Sequence, residues 1–251
     1  MNVEIKAFLT MAGACLAVVS GAAVALSGLG SHWDWWYFRT GFTILKWAAF
    51  CSLFAAVVSA AGLFWALSHR TQGLLFISAA GLAIGLVAGG IPASWAWKAK
   101  HVPMINDITT DTKNPPGFSA LLPLRAGATS PADYPGAETA AQQLKAYPYV
   151  QPLFTALPPP AALEEALSAA RKLGWKIVET DRQAGRIEAV DTTLWFGFHD
   201  DIVIRVTPEA KGSRVDIRSH SRVGRSDMGT NARRIRSFLT VMNESWGVSG
   251  G

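Results

Sequence analysis

The chain is poor in cysteine and carries no common catalytic signature. Cys15 and Cys51 are the two cysteines among 251 residues. Both fall in apolar runs, where a thiol behaves as a small apolar side chain. The rest of the chain can therefore hold neither a disulfide framework nor a cysteine-based metal site. P-loop, HExxH, nucleophile-elbow and dinucleotide-binding patterns are also missing, so the sequence predicts no cofactor and no metal.

Charge is scarce in the first hundred residues. The charged residues before Lys98 are Glu4, Lys6, Asp34, Arg39, Lys46 and Arg70. Residues 7–29, 42–67 and 73–97 are apolar runs, each longer than the roughly 20 residues that a helix needs to cross a bilayer. We predict three membrane-spanning helices within residues 1–100. A cleaved signal sequence is the alternative for the first run, but that run exceeds the usual apolar length of about 7 to 15 residues.

Two features of this region predict where the helices meet lipid and one another. Aromatic residues cluster between the first two runs, at Trp33, Trp35, Trp36, Tyr37 and Phe38. Such rings are typical of the headgroup level of a bilayer. Gly81, Gly85 and Gly89 repeat on one face of the third run, which lets another backbone approach closely. We expect the partner helix to belong to the same chain.

The net charge of +5 is a modest surplus. It is compatible with anionic lipid or an acidic partner, and it is too small to indicate nucleic acid binding. The bilayer itself is the partner that the apolar runs predict.

Proline marks the next segment. Residues 103–160 hold 11 of the 13 prolines, which disfavours regular helix or central strand there, apart from a short helix over 138–145. The segment also carries many apolar side chains, so it is unlike a solvated linker. We predict that residues 101–159 form an ordered, extended strap.

Residues 160–247 predict an α+β two-layer domain. An amphipathic pattern favours a helix over 160–173. Four strands are predicted over 175–181, 186–192, 201–207 and 213–221, joined by short breaks as an antiparallel meander. A second helix is predicted over 228–246, burying Trp246 and stopping at Gly247. The order of helix, four-stranded antiparallel sheet and helix places both helices on one face of the sheet.

Arginine alternates along the last predicted strand. Arg214, Asp216, Arg218, His220 and Arg222 share one parity, while Val215 and Ile217 share the other. Because side chains alternate across a strand, the charged set lies on one face of the sheet.

Several motifs of the soluble part resemble a bacterial family, the domain of unknown function 1499. They are Pro115-Pro116-Gly117-Phe118, Gly185-Arg186-Ile187-Glu188-Ala189, Trp195-Phe196-Gly197-Phe198 and the run from Arg218-Ser219-His220-Ser221-Arg222 through Gly224, Asp227 and Gly229 to Asn231. The resemblance implies no settled activity. Members of the family often resemble exported envelope proteins, which implies a periplasmic domain. Together with the three predicted spans, this predicts a multi-pass protein of the bacterial inner membrane. The count of positive charges in short loops slightly favours a cytoplasmic domain instead.

The turn after the last strand is the main candidate ligand site. Its residues are Arg218, Arg222, Arg225, Asp227 and Asn231. Arginines beside the start of a helix suit a phosphate or carboxylate group. The structural alternative is that Asp227 caps the helix and the arginines pair with Asp200, Asp201 or Asp216.

Trp195 is a second candidate for ligand binding. It stands in a short aromatic run whose side chains cannot all face the core of one strand. An exposed ring there would contact a ligand, the strap or a partner, whereas a buried ring would belong to the core.

Catalytic residues are not predicted. His199, Asp200 and Asp201 are adjacent, and neighbours on a strand point to opposite faces, which disfavours a shared metal. We therefore expect a non-enzymatic, membrane-anchored envelope protein whose soluble domain recognises an anionic ligand, a lipid headgroup or a protein partner. Two alternatives are an accessory subunit of a membrane complex and a hydrolase or transferase acting on envelope lipid or glycan.

Overall fold

The computed structural model describes residues 3–245 and forms two compact units. Residues 3–100 make up the first unit together with Leu194–Gly197, a short segment from the carboxyl-terminal half. Residues 101–193 and 198–245 make up the second. The chain therefore passes from one unit to the other three times.

The first unit is built on three long helices: α1 (Val3–His32), α2 (Phe38–His69) and α3 (Gln72–Ala99). Each is long and apolar enough to cross a membrane, with mean hydropathy of 2.0, 2.0 and 2.2 in their most apolar stretches. The prediction of three candidate membrane spans is confirmed.

Small residues bring these helices together. A Cβ atom added at Gly85 would lie 2.6 Å from the Ser52 carbonyl oxygen of α2. At Gly81 it would lie 2.9 Å from the Ala14 Cα atom of α1. These distances are too short for any side chain, so the glycine face of α3 is occupied by helices of the same chain, as predicted.

The second unit contains a six-stranded antiparallel sheet and three helices. The strands are β1 (Asp107–Thr109), β2 (Leu153–Thr155), β3 (Lys176–Asp181), β4 (Arg186–Thr192), β5 (His199–Glu209) and β6 (Gly212–Ser221). The helices are α4 (Ala137–Ala146), α5 (Pro159–Lys172) and α6 (Thr230–Ser245). The predicted meander is confirmed, since the sheet order is β1-β6-β5-β4-β3.

The prediction of four strands was incomplete, because β1 and β2 come from the proline-rich segment. Both pair antiparallel with the free edge of β6. β1 pairs with the end of β6, at Arg218 and His220, and β2 pairs with the beginning of β6. Each has only three residues, too few to show an alternating pattern in the sequence. Their pairing covers an edge that would otherwise expose unpaired backbone groups.

The core lies between the sheet and the pair α5 and α6. Leu163 and Leu167 of α5 pack with Ile235 and Phe238 of α6 against the apolar face of β4 to β6. The α+β architecture with both helices on one face agrees with the prediction. The last helix begins at Thr230 rather than at 228, and the predicted Trp246 and Gly247 lie outside the described residues.

Candidate functional site

The polar face of the sheet is covered by the proline-rich strap. On β6, Val215 and Ile217 join the apolar core, while Arg218 and His220 point to the opposite face. The strap crosses this face and donates backbone N–H groups from residues 119–121 to the Glu188 carboxylate at 2.8, 3.2 and 2.9 Å. Charged side chains therefore form a buried layer between the sheet and the strap.

Arg218 lies at the centre of that buried layer. Its guanidinium donates to both carboxylate oxygens of Asp107, at 2.9 and 2.7 Å. It also donates to the backbone carbonyls of Pro116 and Ala132, and the Phe118 ring lies 4.7 Å from its central carbon. Burial raises the pKa of Asp107, and the Arg218 hydrogen bonds oppose that rise. The contacts leave Arg218 no open face for a ligand.

Arg222 shares an acid with a second guanidinium. Its Nε and Nη2 atoms donate to the Asp201 carboxylate at 2.7 to 3.0 Å. Arg125 of the strap donates to the same carboxylate at 2.7 Å. One negative group therefore faces two positive groups, and the Arg222 side chain remains 17 % exposed.

Arg225 lies on the exposed turn that follows β6. Gly224, beside it, has φ +88°, a conformation that favours glycine. The Gly224 carbonyl accepts hydrogen bonds from Asn106 and Ser130, which fix the turn to the strap. Among residues 3–245, no carboxylate lies within ion-pair distance of Arg225.

Asp227 caps α6. Its carboxylate accepts the backbone N–H groups of Gly229 at 2.8 Å and Asn231 at 2.6 Å. Burial raises the pKa of Asp227, and these two hydrogen bonds oppose the rise. Met228 and Gly229 both have positive φ, which explains why the regular helix begins only at Thr230. Both oxygens of Asp227 thus serve the backbone.

Asn231 is fully buried and ties α6 to β6. Its amide donates to the Asn106 carbonyl and to Ser221 Oγ, and its oxygen accepts from Ser219 Oγ. Arg234, one turn further on, donates to the same oxygen and pairs with Asp200 at 2.7 Å. The network is saturated by protein groups.

Trp195 belongs to the first unit, apart from the other five predicted site residues. Its indole Nε1 donates to the Ala25 carbonyl of α1 at 2.8 Å. The ring lies 5.0 Å from that of Trp95 on α3. Phe196, next in the chain, is buried with its ring 4.8 Å from Phe42 of α2. The aromatic run therefore packs on the helices.

The histidines and neighbouring acids do not converge. Asp201 faces the strap and Asp200 faces α6, so the two adjacent carboxylates lie on opposite faces of the sheet. His220 is buried beside Arg125, and burial together with the positive charges of Arg125 and Arg218 lowers its pKa to about 2. Within residues 3–245, no group of three or more histidine, cysteine, aspartate or glutamate side chains could hold a metal ion.

Sequence reasoning missed the strap's contribution to this layer. Asp107 and Arg125 supply the partners of Arg218 and Asp201, and both are buried. Arg125 is the one charged residue in the otherwise apolar stretch Leu121–Arg125. Because an isolated charge among apolar residues needs a partner once it is buried, this pattern could have predicted an ion pair for Arg125. Glu188 shares the parity of Arg186 on β4, which was the signal that it faces the polar side.

Comparison with known proteins finds a matching family model. No curated protein is significantly similar to the chain in sequence. A family model described as "Protein of unknown function (DUF1499)" matches residues 107–242. The match runs from β1 into α6 and includes the buried charged layer, most of the strap and the Gly224 turn. With more than half of its length matched, this chain belongs to the DUF1499 family.

Proposed function

We propose that the protein is a non-enzymatic, membrane-anchored envelope protein whose soluble domain recognises an anionic group at the turn around Gly224. The turn is suited to bind a phosphate group, either free or in a lipid headgroup. The three candidate spans hold the domain at the membrane, and the turn supplies the binding surface.

The observation that carries the proposal is the unequal pairing of charge at this turn. Arg125 and Arg222 share the single carboxylate of Asp201, and Arg225 has no acid partner among the described residues. The Asp227 carboxylate of the same turn caps α6, so three guanidiniums and two carboxylates leave an excess of one positive charge. Arginine binds phosphate through two parallel N–H donors, and an exposed Arg225 has its donors available.

The pairing of the acids supports a binding role over catalysis. A hydrolase or transferase needs carboxylates that meet at one reacting atom. Asp201 is held by two arginines, Asp200 is held by Arg234, and Asp227 caps a helix. Each of these groups already has a structural task.

The accessory-subunit alternative has less support. It relied on the glycine face of α3 and on the aromatic loop as docking surfaces. The glycine face contacts α1 and α2 of the same chain. Trp36 likewise donates to the Ser27 carbonyl of α1 at 3.1 Å, while Trp33, Trp35 and Tyr37 are exposed in the manner of a headgroup belt.

The proposed location is the bacterial inner membrane, with the soluble domain in the periplasm. It rests on the resemblance to exported family members. Fusion of alkaline phosphatase or green fluorescent protein after residue 251 tests it. Alkaline phosphatase is active only outside the cytoplasm. Green fluorescent protein fluoresces in the cytoplasm and stays dark when it is exported in the unfolded state. Fluorescence without phosphatase activity would refute the periplasmic placement.

Isothermal titration of the detergent-solubilised full chain with inorganic phosphate tests recognition. We expect saturable binding that weakens at least tenfold in Arg225→Ala, because one charged two-point contact is lost. Arg182→Ala is the matched control, since it removes an exposed arginine that pairs with Glu164 far from the turn in sequence. Equal binding by both variants, or no binding by the wild type, would refute the proposal.

A further inference from the structure

An apolar groove runs between α1 and α3 in the membrane unit. It has a volume of about 720 Å³. Small residues line it on both helices: Ala25 on α1, and Ala83 and Ala88 on α3. Their short side chains leave space that larger residues would fill.

Two tryptophans define one end of the groove. Trp95 of α3 and Trp195 line it there, with ring centroids 5.0 Å apart. The Trp195 indole is fixed by its hydrogen bond to the Ala25 carbonyl. A Cβ atom at Gly28 would lie 2.5 Å from the Trp195 ring, so glycine is required there for the ring to reach α1. This end is therefore built, and tryptophan is typical of the headgroup level.

The dimensions of the groove match one leaflet of a bilayer. Trp95 and Ala83 are twelve residues apart on α3, which corresponds to about 18 Å at the helical rise of 1.5 Å per residue. Half of a hydrocarbon core of about 30 Å is roughly 15 Å. The groove thus extends from the headgroup level inward by about the depth that one acyl chain occupies.

The lining decides between the possible occupants. Apart from the two indoles at its end, it consists of aliphatic side chains and glycine. Water needs two to four polar partners to occupy a cavity, so it is disfavoured. A flexible hydrocarbon chain fits both the volume and the chemistry.

We propose that this groove binds one acyl chain of a bilayer phospholipid, with the chain running from Trp95 and Trp195 toward Ala83. The site is separate from the anion-binding turn, and it stands or falls independently of the proposed function. The lipid is held by shape and by dispersion contacts with the small-residue walls.

Native mass spectrometry of the full chain in dodecyl maltoside micelles containing phosphatidylcholine tests the site. We expect a retained one-lipid adduct in the wild type that falls at least fivefold in Ala25→Leu/Ala88→Leu, which fills the groove. Ala60→Leu/Ala61→Leu on α2 is the matched control, because both alanines are exposed and neither lines the groove. An unchanged adduct in the filled variant would overturn the proposal. So would a lipid-free wild-type dimer that filling converts to monomer, since a second copy would then occupy the groove.

A second measurement uses the wild type alone and does not depend on the folding of a variant. The protein is reconstituted in vesicles of phosphatidylcholine that carries a photoreactive diazirine in its acyl chain, and the cross-linked peptides are mapped. Labelling concentrated on the groove-lining positions of α1 and α3 supports the site. Equal labelling of exposed positions on α2 would show ordinary lipid contact and refute it.

Discussion

Arg218 and Asp107 form a two-point ion pair between β6 and β1, across 111 positions of the chain, with both side chains buried. The pair fastens the start of the strap to β6, the strand beside it in the sheet. Because the N–H donors of Arg218 bind groups inside the domain, this arginine is not available to a ligand.

Removing one partner of this pair should destabilise the domain strongly. We expect Asp107→Asn or Arg218→Met to lower the free energy of unfolding by roughly 3–5 kcal/mol, because the remaining charge is buried without its counterion. The double variant Asp107→Leu/Arg218→Met should recover a large part of the loss. Urea-dependent pulse proteolysis of the detergent-solubilised chain measures these values. Arg182→Ala, which breaks an exposed pair, should change stability by less than about 1 kcal/mol.

The Glu188 carboxylate should control the order of the strap. It accepts three backbone N–H groups from residues 119–121. Glu188→Gln replaces the charged acceptor by a neutral one, and we expect hydrogen exchange of these amides to accelerate roughly ten- to a hundredfold. Mass-spectrometric exchange of the full chain measures this, with the exposed Glu164→Gln as control. Unchanged exchange at residues 119–121 would contradict the role of Glu188.

His220 should make the second unit sensitive to acid. Its pKa is about 2 in the folded state against 6.5 for the free side chain. The unfolded state therefore binds the proton first, and the free energy of unfolding falls as the pH drops below 6.5. Between pH 7 and 5 the expected loss is up to about 2 kcal/mol, at about 1.4 kcal/mol per pH unit.

Pulse proteolysis at pH 7 and 5 checks this sensitivity through the difference between variants. His220→Gln should lose most of the change between the two pH values, while His199→Gln, which alters an exposed histidine, should keep it. An identical pH response in the wild type and His220→Gln would assign the acid sensitivity to other groups.

Gly85 should be essential for the packing of the helices. A Cβ atom there would lie 2.6 Å from the Ser52 carbonyl oxygen and 2.9 Å from the Ala56 backbone nitrogen. Gly85→Leu should therefore push α3 from α2 and cost about 1–3 kcal/mol or more. Gly90→Leu in the same helix is the matched control, because no atom lies within 4 Å of an added Cβ there. Resistance to unfolding by sodium dodecyl sulfate measures both, and equal resistance would contradict the packing role.

The strand alternation of residues 214–222 was sufficient to predict which side chains share a face, because the period of two is a property of the extended backbone. It could not predict what covers that face. Asp107 and Arg125 come from more than 70 residues upstream of their partners, at separations of 111 and 76 positions. Such pairs depend on the path of the strap. Because proline makes that path irregular, the periodicity of the sequence does not predict it.

Trp195 shows that contacts between distant parts of the chain could not be predicted in the membrane unit either. The sequence showed that its aromatic run could not all face one core, and it could not show that the indole would reach the Ala25 carbonyl of α1.

The sequence alone determined the three spans, the meander and the parity of the arginines, since each depends on local hydrophobicity or backbone geometry. The tertiary structure decided which arginines retain free donors. Whether a guanidinium is available depends on the acid that the folded chain brings within hydrogen-bond distance, and residues far apart in sequence supply that acid.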